Sequence, residues 1–538
     1  MDINKETMRL LKEDPDGNVE YKRHLCRLTE DRIDHLSTQM NWRINEAFLT
    51  SDRSEAVYLI GIENDGCVSG IDSEDILESL ESLKTLAYRC YAKIESTQII
   101  TNRNGMVARV IIERKQLTNI YESSIFVLGT QFVGKTTMIS VLLNGKKDDG
   151  NGSLRNALMK HPHELDAGGS SSISYHLIGF NDMNLINSNL SELSWDYIVH
   201  HSDRVMTIID LPGNLSYINT ILFGLMSHQI NSSMILVDSQ INEIDSMTEI
   251  VIDWAIILKR KFMIVITKID LITKEQLHDL LILINTYLAT RHSYTIRVMN
   301  KSEDVDLIPM LYKINKIPVF YTSNITHDHI DLLIHALALI KPDDHDLYVE
   351  KPVSKSKEFI INSVNQIPYI GWIVSGRVSM GTININDRLI LGQVKGKYVD
   401  VVVQSIYHKQ IMTKSLSEGC TGSFVLQILD DKHKIIITNK MVIISPNLLP
   451  NFVHCFMLVF DNDISWIRKI QYNLFTGNQT GPFIAKEIKK SESDTMIIGE
   501  FVVPEIYRYI RNGDPAVIKL KHNIAFGKIF TLHFLICN

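Results

Sequence analysis

The chain has 538 residues, 45% hydrophobic and 22% charged, with a net charge of −7. That length exceeds what one hydrophobic core can organise and predicts about three or four domains of ordinary globular composition. The acidic balance excludes a protein that coats nucleic acid without regard to sequence, while leaving local basic patches open. The polar amino terminus has no apolar signal core, and charges such as Lys259 and Lys261 interrupt the greasy stretches, so neither a leader nor a membrane span is expected. Six cysteines (Cys26, Cys67, Cys90, Cys420, Cys455 and Cys537) lie far apart without C-x-x-C spacing. They read as buried or free thiols in a reducing cytosol, not as zinc ligands or a disulfide framework.

Residues 1–118 are expected to form a small α+β unit. A charge-rich helix at 28–47 precedes the apolar run AVYLIGI, a helix from Ser73 to about Cys90, and two strands flanking the Asn104-Gly105 turn. No catalytic constellation is visible there, so the unit reads as an accessory or partner-binding domain. Residues 119–345 alternate buried-strand runs (125–128, 205–209, 234–237, 262–267, 317–321) with amphipathic stretches. Continuous apolar strands alternating with helices predict a mostly parallel sheet covered on both faces, with ligands beyond the carboxyl ends of the strands. The polar segment EKPVSKSKE (350–358) reads as a linker. Beyond it, short strands separated by Gly, Asn and Asp turns predict two small β-barrels, 355–446 and 450–538, joined near Ser445-Pro446-Asn447.

Three strand ends carry chemistry. The stretch IFVLGTQFVGKTT (125–137) is a strand, a G-x-x-x-x-G-K-T loop and a helix start. Gly129 and Gly134 let backbone amides turn inward around a polyphosphate, with Thr130, Gln131, Phe132 and Val133 completing the cradle. Lys135 reaches the terminal phosphates, the Thr136 hydroxyl holds magnesium, and Thr137 opens the helix. The strand VMTIID ends in Asp210-Leu211-Pro212-Gly213-Asn214, where a carboxylate can hold magnesium through its water shell and Gly213 can turn its amide toward a γ-phosphate. In isolation D-x-P-G is equally a turn. The strand FMIVIT ends in Thr267-Lys268-Ile269-Asp270. There an Asp can accept two hydrogen bonds from the amidine edge of guanine, which adenine lacks. The Tyr321-Thr322-Ser323-Asn324 strand end can present backbone amides to a guanine carbonyl, or serve as a helix N-cap region.

In this order the motifs resemble those of the translational GTPases, elongation factor Tu and elongation factor 1-alpha among them, and above all the eukaryotic GTP-binding protein 1 and 2 family. The segment 142–180 is similar to that family's switch I insertion, including H-x-H-E at His161, His163 and Glu164. SWDYI (194–198), ILFGLMSHQI (221–230), SNIT (323–326) and the run IPYIGWIVSGRVSMGTI (367–383) extend the likeness over about residues 20–535. Heavy use of Ile, Asn and Lys points to an AT-rich source such as a protist or giant virus.

The resemblance implies GTP/GDP and Mg2+ as ligands, with Lys135 on the β/γ-phosphates and Thr136, Ser170 and Asp210 around the metal. It places Gly213 in switch II, Thr267, Lys268 and Asp270 at the guanine, and Ser323 and Asn324 beside it. It also implies a cytoplasmic protein whose partners include the ribosome, tRNA or another RNA, with a protein partner for the amino-terminal unit. Switch I would span about 150–180 and switch II 210–230.

Two departures bear on catalysis. Translational GTPases place a His after D-x-x-G to orient the attacking water, and here it is Asn214. They usually carry an Asp where this phosphate loop has Phe132. An amide can bind water but cannot become cationic, and lost positive charge at a transferring phosphoryl costs about 10³-fold or more, so weak intrinsic hydrolysis is expected. Ser379-Met380 replaces an acidic–basic pair in the turn near elongation factor Tu's site for the tRNA end, which argues against ordinary aminoacyl-tRNA delivery. The rival readings are a GTP-dependent RNA or ribosome adaptor that never hydrolyses, and a P-loop kinase, against which Thr267-Lys268-Ile269-Asp270 counts. His161, His163, His200 and His201 read as solvated residues.

Overall fold

The computed structural model describes residues 9–114, 121–186, 195–340 and 356–531, apart from the short stretches 52–53, 103, 160–161, 168, 229, 369, 395–396, 430–435, 454, 461–463, 465, 491–494, 503–507 and 521–522. Most of the expected linker lies outside the described residues, as do Cys537 and His161. The chain separates into two compact units, Met1–Asn119 and Ile120–Asn538.

In the first unit a four-stranded sheet has the order β1-β2-β4-β3, formed by β1 (Val19–Lys22), β2 (Glu55–Ile60), β3 (Ala92–Asn102) and β4 (Gly105–Arg114). Helices α1 (Glu30–Ser51) and α2 (Ser73–Arg89) cover it. Leu36, Met40, Ile44, Leu83 and Leu86, at helical spacing, pack with Tyr58, Ile60 and Val110 in one core. Asp72 caps α2 by accepting from the Asp75 amide. Arg43 is buried with Glu20 (2.7 Å) and Glu13 (2.9 Å), so its charge is paired inside the unit.

The second unit opens with an eight-stranded sheet ordered β11-β12-β10-β9-β5-β8-β6-β7. Its strands are β5 (Tyr121–Leu128), β6 (Ser174–Asn181), β7 (Asn184–Ile186), β8 (Arg204–Asp210), β9 (Ser232–Asp238), β10 (Phe262–Thr267), β11 (Thr295–Val298) and β12 (Lys316–Tyr321). β5 pairs in parallel with β8 on one side and β9 on the other. The strand order therefore turns back at β5, the position at which open α/β sheets leave a crevice for ligand. α3 (Lys135–Asn144) follows β5 directly. Helices Ile218–Ser227, Ser246–Ile257, Lys274–His292 and Ile330–Leu339 complete the two covering layers, whose cores lie on opposite sheet faces.

One expectation needs correction. Switch I does not extend to 180, because Ser174–Asn181 is β6, paired antiparallel with β8 in register from Ser174↔Asp210 to Phe180↔Arg204. Leu177, Ile178 and Phe180 are buried there, and that burial makes the segment part of the sheet.

Beyond the sheet lie two six-stranded β-barrels. The first closes through Glu358–Ile367, Gly371–Met380, Thr421–Ile428, Lys397–His408, Arg388–Val394 and Val442–Ile444. Ser379 and Met380 end a strand of this barrel and so precede its turn. The second barrel comprises Cys455–Phe460, Thr495–Phe501, Gln479–Lys490, Gln471–Thr476, Pro515–Leu520 and Asn523–Thr531. Each has its own apolar core. The barrels are joined through polar groups. Fully buried Glu358 accepts from Tyr509 and from Arg511 (3.1 Å), and the Asn478 amide donates to the carbonyls of Ile361 and Met441. Against the sheet domain, Lys409 of the first barrel donates to Thr207 of β8 (2.9 Å) and lies 3.4 Å from Glu122 of β5, beside His408. Phe475 and Val517 of the second barrel share a core with the helix Ile218–Ser227. Among the described residues no helix is long and apolar enough to cross a membrane.

Candidate nucleotide site

The loop between β5 and α3 is shaped by backbone conformations that most residues avoid. Gly129 has φ +139°, and a Cβ there would meet the Leu236 carbonyl oxygen at 2.5 Å. Gly134 caps α3 in the left-handed region, at φ +94°. Phe132 also sits at positive φ, +65°, a strained conformation for an aromatic residue, and the residue is 59% exposed. Val133 turns its side chain into the core, leaving its backbone to the loop. Lys135 arches back over the loop, its Nζ donating to the carbonyls of Gly129 (3.0 Å) and Thr130 (2.8 Å). Burial pulls its pKa down to about 8, against the opposing pull of Asp210.

Three oxygens converge beside this loop. Thr136 Oγ1 lies 2.9 Å from Asp210 Oδ2 and 2.9 Å from Ser170 Oγ, which is itself 3.3 Å from Asp210 Oδ2. Asp210 is fully buried, and its Oδ1 has no hydrogen-bond partner. Burial raises its pKa, opposed by Lys135 and the two hydroxyls and reinforced by Glu164. A buried carboxylate with a free oxygen, flanked by two hydroxyls and held short of comfort by desolvation, suits a hard divalent cation. Glu164 borders the same cleft, 3% exposed, accepting from the Ser171 amide and hydroxyl (both 2.7 Å). The H-x-H-E segment therefore contributes its carboxylate as a brace for the Ser170 loop.

Gly213 rests on the phosphate loop, where a Cβ would meet the Gln131 amide nitrogen at 2.7 Å and also collide with Lys135 Nζ. Asn214 Nδ2 donates to Gln131 Oε1 (2.8 Å), and its Oδ1 caps the turn that follows by accepting from Ser216 N (2.9 Å).

At the neighbouring strand ends, Thr267 Oγ1 donates to the Val133 carbonyl (2.8 Å), tying β10 to the phosphate loop. Lys268 adopts φ +60° and pairs with Asp238 at 2.6 Å. Asp270 is exposed in the short helical turn Ile269–Leu271. Ser323 accepts from the amides of Ile325 and Thr326 and closes a turn; it does not cap a helix as one reading expected, since the next helix begins at Ile330 with His329 at its N-cap. Asn324 is close to Gly134, and its buried Oδ1 has no partner. The fold brings Gly129, Thr130, Lys135, Thr136, Ser170, Asp210 and Gly213 together, ties Thr267 to the loop and sets Asn324 beside Gly134, while Asp270 is placed only as an exposed residue after β10. Asp238 and the bond between Gln131 and Asn214 were missed, and Glu164 was named only within the H-x-H-E likeness. Only Asp238 had a sequence signal, an acid ending an apolar strand.

A phosphate-binding loop at a sheet switch point, a buried Asp–Thr–Ser cluster and T-K-x-D after β10, one strand removed from β5, are the features of a guanine-nucleotide-binding domain. Residues 123–343 match the family described as the elongation factor Tu GTP binding domain. That match covers the sheet domain, and the likeness to known proteins extends beyond it over most of the chain. It is 27% identical over 528 residues to GTP-binding protein 2 of Mus musculus, covering 95% of this chain and 85% of that one. It is 29% identical over 443 residues to GTP-binding protein 1 of Xenopus laevis, covering 81% of this chain and 66% of that one. In fold it is similar to the S. cerevisiae Ski7 GTPase-like domain bound to GTP, with a TM-score of 0.57 at 14% identity over 77% of this chain and 98% of that one.

Proposed function

We propose that the chain is a cytoplasmic GTP/GDP switch of the translation-factor kind that binds GTP with Mg2+ and acts on the ribosome or on RNA. Hydrolysis is slow, or waits for a partner. The observation that carries this reading is the cluster of Thr136, Ser170 and Asp210 beside the phosphate loop, with Asp210 Oδ1 unpartnered. These residues would hold the magnesium ion, which would offset charge on the β- and γ-phosphates. Lys135, the loop amides and the positive end of α3 would hold the phosphates, while Thr267, Lys268, Asp270, Ser323 and Asn324 would frame the guanine.

In functional terms, residues 119–345 carry the switch and the barrels 355–446 and 450–538 read its state. Residues 1–118 form an accessory domain that takes a protein partner. The segment 215–227 packs against the second barrel, so any movement of Gly213 toward a γ-phosphate is felt there. Single-turnover GTP hydrolysis, with and without ribosomes, tests the proposal. Slow turnover that ribosomes accelerate supports it, and fast turnover by the isolated chain refutes it. No turnover in either condition, with GTP binding intact, would favour an adaptor that reads GTP without cleaving it.

A further inference from the structure

Slow hydrolysis has so far been traced to what is missing, a His at 214 and an Asp at 132. The structure also shows something added. Gln131, in the phosphate loop, touches both switches at once. Its Oε1 accepts from Asn214 Nδ2 at 2.8 Å, on the residue after Gly213. Its carboxamide lies so close to Gly169, the residue before Ser170, that a Cβ on Gly169 would meet Nε2 at 2.7 Å. Gly213 approaches the same residue so closely that a Cβ there would meet the Gln131 amide nitrogen at 2.7 Å. One side chain therefore bridges the phosphate loop, the Ser170 loop and the Gly213 turn.

The bond also decides what Asn214 can do. Its oxygen is engaged by the Ser216 amide and one of its N–H bonds by Gln131. A carboxamide held at both ends keeps one rotamer, and turning toward a water would cost both hydrogen bonds. We propose that Gln131 is a positioning residue that acts as a brake: it fastens residue 214 to the phosphate loop and keeps it from orienting the attacking water. This inference rests on the GTP-switch reading of the site. It implies that a histidine placed at 214 would be captured by the same Gln131 oxygen, since an imidazole N–H is as good a donor to it as the amide.

The test is a double-mutant cycle on the full chain with Gln131→Met, Asn214→His and the double variant. Met preserves length and volume but offers no comparable acceptor, and Gln131→Leu is a second choice should Met disturb folding. Single-turnover GTP hydrolysis and equilibrium GTP and GDP affinities are measured for each. The expected result is that Gln131→Met alone raises the rate about threefold or more by freeing Asn214, and that the double variant exceeds the product of the singles by about tenfold or more. Nucleotide affinities should stay within about threefold throughout, whereas a merely structural role would move affinity and leave the coupling flat. Rates that multiply without coupling, with affinity intact, overturn the brake and leave the parent reading standing. Failure of the unaltered chain to bind GTP overturns both.

Discussion

Asp210→Asn should make the ligand-free protein more stable while impairing its use of GTP. Asp210 is fully buried, its Oδ2 takes hydrogen bonds from two hydroxyls, and its Oδ1 has none. Burial raises its pKa, so the folded state binds this proton more tightly than the unfolded state. The resulting penalty is present in full above the raised pKa and vanishes as pH falls toward the unfolded value of 3.8. Asparagine keeps an oxygen for Thr136 and Ser170 and removes the buried charge and its repulsion from Glu164. Relief of this kind is worth about 0.5–2 kcal/mol. In a domain of this size it raises the thermal transition by about 2–4 °C per kcal/mol. The same change removes the carboxylate proposed to hold magnesium through its water shell, which should weaken metal-dependent GTP binding about 10- to 100-fold. Thermal unfolding with EDTA, and then with GTP and Mg2+, reads both effects. If the variant melts below the unaltered chain in EDTA, or gains as much from GTP and Mg2+, the reasoning about Asp210 is wrong.

Two other outcomes follow from the same geometry. With its pKa near 8, Lys135 loses its proton in the free protein as pH rises past that value, while bound phosphates would restore it. GTP affinity should therefore be flat below about pH 8 and fall roughly tenfold from pH 7 to pH 9; calorimetry showing no change across that window would contradict the assignment. Lys409 is 6% exposed and lies among Thr207, Thr421 and Glu122. Glu122→Gln strands the buried Lys409 charge and should cost about 3–5 kcal/mol, Lys409→Met leaves Glu122 with His408 and should cost less, and the double change should cost less than Glu122→Gln alone. Urea denaturation of all three would show additive losses if the pair were solvated and unimportant.

Much of this molecule was legible in sequence because its central strands are buried on both faces. β5, β8, β9, β10 and β12 are continuous apolar runs, and the chemistry sits where each run stops, at Gly129, Asp210, Asp238, Thr267 and Tyr321. β6 was hidden because Ser174–Asn181, buried continuously from His176 to Phe180, adjoins a polar insertion that resembles a switch. β11 is only four residues long, too short to register a period. The Gln131–Asn214 bond and the brace from Glu164 escaped for another reason. Each joins loops whose approach depends on the closed fold, and a Gln or Glu in a loop carries no trace of its partner. Phe132 was visible as a substitution, but its left-handed backbone and its exposure were not.

The central claim is that this crevice selects a guanine nucleotide with magnesium. Equilibrium competition between GTP and ATP for the full chain in Mg2+ tests it directly. The account predicts that GTP displaces a bound fluorescent GTP analogue while ATP needs about 10³-fold higher concentration or more, since a site built to hydrogen-bond guanine rejects a base that leaves its groups unpaired. Equal displacement by the two nucleotides, or displacement by neither, would contradict it.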